Sequence, residues 1–134
     1  MTSVARFHLR SAPIYAVIAM VLGVAMGVAQ DFRLVSVHAH LLLLGWVSMF
    51  LAGLFLSIRA VPAGARLPFY HAVAAHLGLV VLAIGVAGIG LKIPAGGPIT
   101  MIGSILTLVG MLMFIGMVFS ATSEAAAHRP LAAE

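Results

Sequence analysis

The sequence has no cysteine, three carboxylate side chains (Asp31, Glu124 and Glu134) and a single tryptophan. Without cysteine there is no disulfide, no thiolate-held iron–sulfur cluster and no covalent CxxCH haem attachment. Charged residues make up 7% of the chain. A soluble domain carries roughly 25%, so there is too little charge here to clothe a surface in water. All three acids fall outside the apolar runs, and no lysine or arginine lies in the middle of one. Paired-carboxylate catalysis, acidic proton relays and hard-cation cages are thereby excluded from the apolar interior. Ser48, Ser104 and Thr107 have no embedded acid to complete a triad. In apolar helices such hydroxyls ordinarily bond their own backbone. There is no glycine-rich phosphate loop. The net charge of +4 is spread over connectors and tails, which speaks for membrane topology and against a nucleic-acid partner.

What is present is hydrocarbon. Hydrophobic residues are 63% of the 134, and the mean hydropathy is +1.23. Four apolar stretches run over about 12–29, 34–58, 68–91 and 99–120, each long enough to cross a bilayer core as a helix of about 20 residues. Between them lie QDFR (30–33), the basic RAVPAGAR (59–66) with Pro62 and Gly64, and the turn sequence KIPAGGP (92–98). The tail EAAAHRPLAAE (124–134) is polar. The fold class expected is all-α, a polytopic membrane protein of four transmembrane helices forming one membrane domain over 1–134. Its first partner is the lipid bilayer.

Basic residues set an orientation. Arg6, Arg10, Arg59, Arg66 and Arg129 fall on one side, with Arg33 and Lys92 on the other. The positive-inside rule then puts both termini in the cytoplasm, in a bacterial inner membrane. Arg6, Arg10 and the apolar run ending Gly27-Val28-Ala29 also resemble a secretory signal. Signal cores are about 7–15 residues long, and this run is longer, so it is read as the first span.

Small residues mark packing faces: Gly23 and Gly27 in the first span, Ala74 and Gly78 in the third, Gly103 and Gly110 in the fourth. Such residues let helix backbones approach where no hydrophobic effect drives association. Gly45 lies seven residues after His38 on a helical face, where it would leave room for a flat, bulky group.

The polar chemistry left is histidine. His38 and His40 open VSVHAHLLLLGWVS (35–48), and His71 and His76 stand near the start of the third span. His8 and His128 fall in the tails and are given no role. A single membrane histidine most often serves as a structural hydrogen-bonding group. Four in so apolar a chain favour metal ligation, since neutral imidazole suits haem iron, copper or zinc. Zinc is disfavoured without cysteine or carboxylate partners. A noncovalent haem needs only one or two axial ligands. His38 and His40 are about 200° apart around a helix and about 3 Å apart along it, so they face two different sites rather than one metal. His76 lies about 7.5 Å deeper than His71.

The stretch HAHLLLLGWVSMFLAGLF (38–55), with a weaker echo in FYHAVAAHLGL (69–79), resembles the histidine-bearing helices of haem–copper oxidase subunit I, including its nitric oxide reductase and cbb-type branches. In that family one helix carries an H-x-H pair whose members hold a low-spin haem and an active-site haem on opposite faces. The resemblance transfers this role to His38 and His40 alone. The family's subunit has twelve spans in three arcs of four around a pseudo-threefold axis, and this chain has the four of one arc. It lacks the family's three copper histidines and its membrane acids and lysine.

The resemblance implies a homotrimer, with a dimer as runner-up. It also implies haem b held by His38 of one subunit and His40 of a neighbour. Gly45 would line the haem face, and Trp46 would pack or lie at the haem edge. His76 and then His71 are reserve ligands, and copper at either is the less favoured cofactor. The function expected is electron transfer, with a redox protein or quinone as partner and no catalytic residues. A nitric oxide or oxygen reductase and an assembly partner of a larger oxidase are the alternatives.

Overall fold

The computed structural model describes residues 1–59 and 65–127. Four helices carry the described chain: Ser3–Ala29, Val35–Ile58, Leu67–Gly90 and Gly96–Ala127. All four are long and apolar enough to span a membrane, so the protein is all-α and multi-pass. The basic connector falls largely in residues 60–64, and His128 and Arg129 in the tail. These lie outside the described residues.

The first helix begins at Ser3 rather than near Ala12. Thr2 caps it, its hydroxyl accepting from the Ala5 amide at 3.2 Å. The charged residues of this opening share one side of the helix. Arg6 and Arg10 are exposed, while Ala5, His8 and Ala12 are buried. An apolar-run criterion cannot see this, since it averages over both faces.

The buried first-helix positions Ala5, Ala12, Ala19 and Met26 repeat every seven residues, the spacing of a seam against neighbouring antiparallel helices. Large aliphatics stand outside: Ile14, Val17, Ile18, Val21, Val24 and Val28 are all at least half exposed. Alanine inside and isoleucine or valine outside is the pattern of helices whose solvent is lipid.

The third and fourth helices form the closest pair. Gly78 lies against Thr107 and Gly85 against Thr100; in return Gly103 lies against Leu82 and Gly110 against Ala75. At Gly85 and Gly103 an added Cβ would collide with the facing backbone. The threonine hydroxyls turn back to their own helix, Thr100 to the Gly96 carbonyl and Thr107 to the Gly103 carbonyl, both at 2.8 Å. These two hydroxyls are thus not left bare at the contact. The expected faces at Gly78, Gly103 and Gly110 are contact faces. Of the Gly23/Gly27 pair only Gly23 lies at a contact within the chain, against the His38 ring of the second helix, and Gly27 has open space beside it.

Two turns close the far end. Gln30 (φ 51°) and Lys92 (φ 59°) adopt left-handed backbone, ending the first and third helices as a C-terminal cap does.

Candidate functional site

The second helix changes winding directly after the histidine pair. Leu41–Ser48 is π-helical, between α-helical residues 35–40 and 49–58. The Ser48 hydroxyl donates to the Leu43 carbonyl, five residues back, at 2.9 Å. π turns are rare and concentrate at functional sites.

His38 is half-buried against the first helix. Its Nδ1 lies 2.7 Å from the Ala19 carbonyl oxygen. A carbonyl only accepts, so Nδ1 carries the proton and donates, which leaves Nε2 as the lone-pair nitrogen. Gly23, one turn on from Ala19, makes the fit. A Cβ there would meet His38 Cε1 at 2.9 Å. His40 is held the same way within its own helix: Nδ1 donates to the Ser36 carbonyl at 2.6 Å. Both rings therefore present an unprotonated Nε2, the state that a metal-bound histidine needs. The two have different surroundings, His38 inside against the first helix and His40 in an exposed hydrogen bond to its own turn.

The other two expected residues fare differently. Gly45 is buried, and the space beside it is filled: a Cβ would meet Tyr15 at 2.8 Å and Leu79 at 3.0 Å. Its absent side chain serves the approach of the first and third helices, not a flat ligand. Trp46 is partly buried against the core and packs on Phe50, ring centroids 5.1 Å apart, which is its packing role.

A second polar group was legible in the sequence only in part. His71 and His76 do not stand alone: His8 joins them from the first helix. His8 is fully buried and His71 is 5% exposed. The position of His8 in a tail is thus corrected; it is a core residue of the first helix. Tyr15, two turns along, completes the group. The Tyr15 hydroxyl lies 2.9 Å from His76 Nδ1, and His76 Nε2 lies 3.2 Å from His8 Nδ1. His8 stacks on His76 at 5.0 Å and is tilted to His71 at 5.3 Å, centroid to centroid. His71 Nδ1 donates to the Gly110 carbonyl at 2.9 Å. Phe7 and Phe114 wall the group. The sequence signal missed was the seven-residue step from His8 to Tyr15, alongside the Ala5–Ala12–Ala19 seam.

His8, His71 and His76 are neighbours without being a chelate. Among the described residues, no three His, Cys, Asp or Glu side chains are placed to hold a metal ion. Four of the six imidazole nitrogens are engaged with one another, with Tyr15 or with the Gly110 carbonyl, and the three rings as placed do not fit a three-ligand copper site. Compared with known proteins, the chain matches no family model, no curated protein and no solved structure.

Proposed function

We propose that this chain is a membrane cytochrome holding haem b noncovalently at subunit interfaces, with His38 and His40 as axial ligands. One observation carries the reading: both rings have Nδ1 tied to a backbone carbonyl. That fixes tautomer and orientation and leaves Nε2 to a metal, as the outer-shell partners of metal-bound histidines do. Their different surroundings support a ligand pair drawn from adjacent copies rather than from one chain. Four spans per copy make a homotrimer of twelve helices the assembly proposed.

Haem in such a site supplies reversible one-electron chemistry. The protein's own residues do the rest. The Ala19 and Ser36 carbonyls orient the imidazoles and raise their basicity, and Gly23 seats the His38 ring. The apolar exterior keeps water from the site. With both axial positions filled by histidine, electron transfer is favoured over oxygen or nitric oxide reduction. A redox protein or quinone would be the exchange partner. The arginines at the Ser3 and Leu67 ends support an orientation with those ends in the cytoplasm of a bacterial inner membrane.

The test is a visible spectrum of the purified protein, taken as isolated and after titration with haem. Low-spin bis-histidine bands in the wild type, lost in both His38→Ala and His40→Ala, are expected, with a trimer by native mass spectrometry. Full spectra in both variants would end the assignment, and a pigment-free protein that takes up no haem would end the cytochrome reading.

A further inference from the structure

The histidines away from the proposed ligand pair form an ordered sequence of hydrogen bonds with one link open. Its fixed end is His71, whose Nδ1–H donates to the Gly110 carbonyl. His71 Nε2 is therefore a lone pair. At the other end the Tyr15 hydroxyl meets His76 Nδ1, and His76 Nε2 meets His8 Nδ1. Two buried side-chain nitrogens have no partner among the described residues: His8 Nε2 and His71 Nε2. They belong to neighbouring rings.

The sense of the row follows from what each atom can do. If Tyr15 donates to His76 Nδ1, then His76 Nε2–H donates to His8 Nδ1, and His8 Nε2 carries a proton. The two unpartnered nitrogens are then one donor and one acceptor. In the reverse sense both would be lone pairs, each buried and unsatisfied, which is costly in an apolar interior. The complementary sense is favoured. The gap is small: the His8 and His71 centroids are 5.3 Å apart, against 5.0 Å for the His8–His76 pair, which is bonded. Closing it needs the two rings to turn these nitrogens toward each other. Among the described residues, no carboxylate is hydrogen-bonded to these rings. Arg6 and Arg10, on the same helix, are exposed. The third helix adds His71 and His76, the fourth the Thr107 hydroxyl and the Gly110 carbonyl, and the second Ser48.

The row also has a mouth. His76 is only partly buried and lines an open groove with Ser3, Val4, Phe7, Phe69, Ala72 and Val73. This groove lies at the end of the bundle where the first and third helices begin.

We propose that Tyr15, His76, His8 and His71 form a proton relay that loads one proton onto His71. The step balances as follows. Hydronium from the groove gives a proton to His76 Nδ1, forming one N–H bond and releasing water, while the Tyr15 hydroxyl turns from donor to acceptor. His76 Nε2–H passes its proton to His8 Nδ1, one bond breaking as one forms. His8 Nε2–H passes its proton to His71 Nε2. His71 ends as an imidazolium, its Nδ1–H still held by the Gly110 carbonyl dipole. His76 and His8 end neutral, each with its proton moved from Nε2 to Nδ1. The relay does not depend on the haem reading.

The experiment is nitrogen-15 NMR of the full-length chain, histidine-labelled, in lipid bilayers and titrated from pH 8 to pH 4. At pH 8 the expected state is His8 and His76 protonated at Nε2 and His71 at Nδ1. On acidification His71 should gain its second proton in the same step in which His8 and His76 switch tautomer. His38→Gln, His40→Gln and His128→Gln assign the remaining signals. In His71→Gln the joint switch should vanish; if that variant does not fold, the wild-type titration alone decides. Separate titration of the three rings without tautomer exchange would overturn the relay. So would His8 protonated at Nδ1 at pH 8, or a joint switch that survives in His71→Gln.

Discussion

His38 donates from Nδ1 to the Ala19 carbonyl at 2.7 Å, across the contact between the first and second helices. Gly23 is what lets the ring lie there. In the folded chain it is the one member of the first span's glycine pair that has a neighbour. Gly23→Ala would put a Cβ 2.9 Å from His38 Cε1 and 3.1 Å from Nδ1. The ring must move, and the bond to Ala19 weakens. The expected loss is about 1–3 kcal/mol, the usual range for overpacking. In a His38→Ala background the same change should be close to neutral. Unfolding titrations of the four proteins of this cycle measure the coupling, and additive effects would show that ring and glycine do not interact.

The third and fourth helices touch through glycine, so added methyl groups there should act unevenly. Gly85→Ala and Gly103→Ala meet facing backbone, whereas Gly27→Ala and Gly97→Ala meet nothing within 4 Å. The first two should destabilise by about 1–3 kcal/mol; the last two should leave the thermal midpoint almost unmoved. Thermal unfolding in detergent compares all four.

Tyr15→Phe removes one hydroxyl and keeps the ring that fills the space beside Gly45. The lost bond is the 2.9 Å contact to His76. A net cost of about 0.5–1.5 kcal/mol is expected for one hydrogen bond, with the lower part of that range typical of membrane interiors. Steric trapping or denaturant unfolding in micelles reads it. A value above the range would mean that the hydroxyl organises more than His76.

In the first connector the Arg33 guanidinium bonds both oxygens of Asp31, with Nε at 2.9 Å from each. The side-chain hydrogen bonds from Arg33, then its backbone N–H, hold the Asp31 carboxyl below its ordinary value of 3.8. A lowered folded pKa means that the pair stabilises above the ordinary carboxylate range, and that its help fades as pH falls through the lowered value. Both groups are exposed, so the effect should be small and screened by salt. Asp31→Asn should flatten the acid limb of the stability curve at low ionic strength: slightly less stable near neutrality, and converging with the wild type as pH falls through the lowered value. An unchanged acid limb would show the pair to be silent.

The sequence by itself determined the solvent of this protein and the number of its spans. Composition does that without regard to which residues touch, because four long runs with almost no charge have few alternatives to lipid. It also singled out His38 and His40, since the angular step of a helix puts residues two apart on different sides. What it could not reach was decided by the meeting of helices. His8 reads as a tail residue because its flanking arginines lower the local hydropathy; only the turned helix shows that they face outward while His8 faces in. Gly45 reads as free space because a sequence does not show that Tyr15 and Leu79, from two other helices, will fill it. The tautomer of His71 depends on which carbonyl its ring meets. The Gly110 carbonyl that fixes it stands 39 residues from His71 along the chain, a distance that only packing closes.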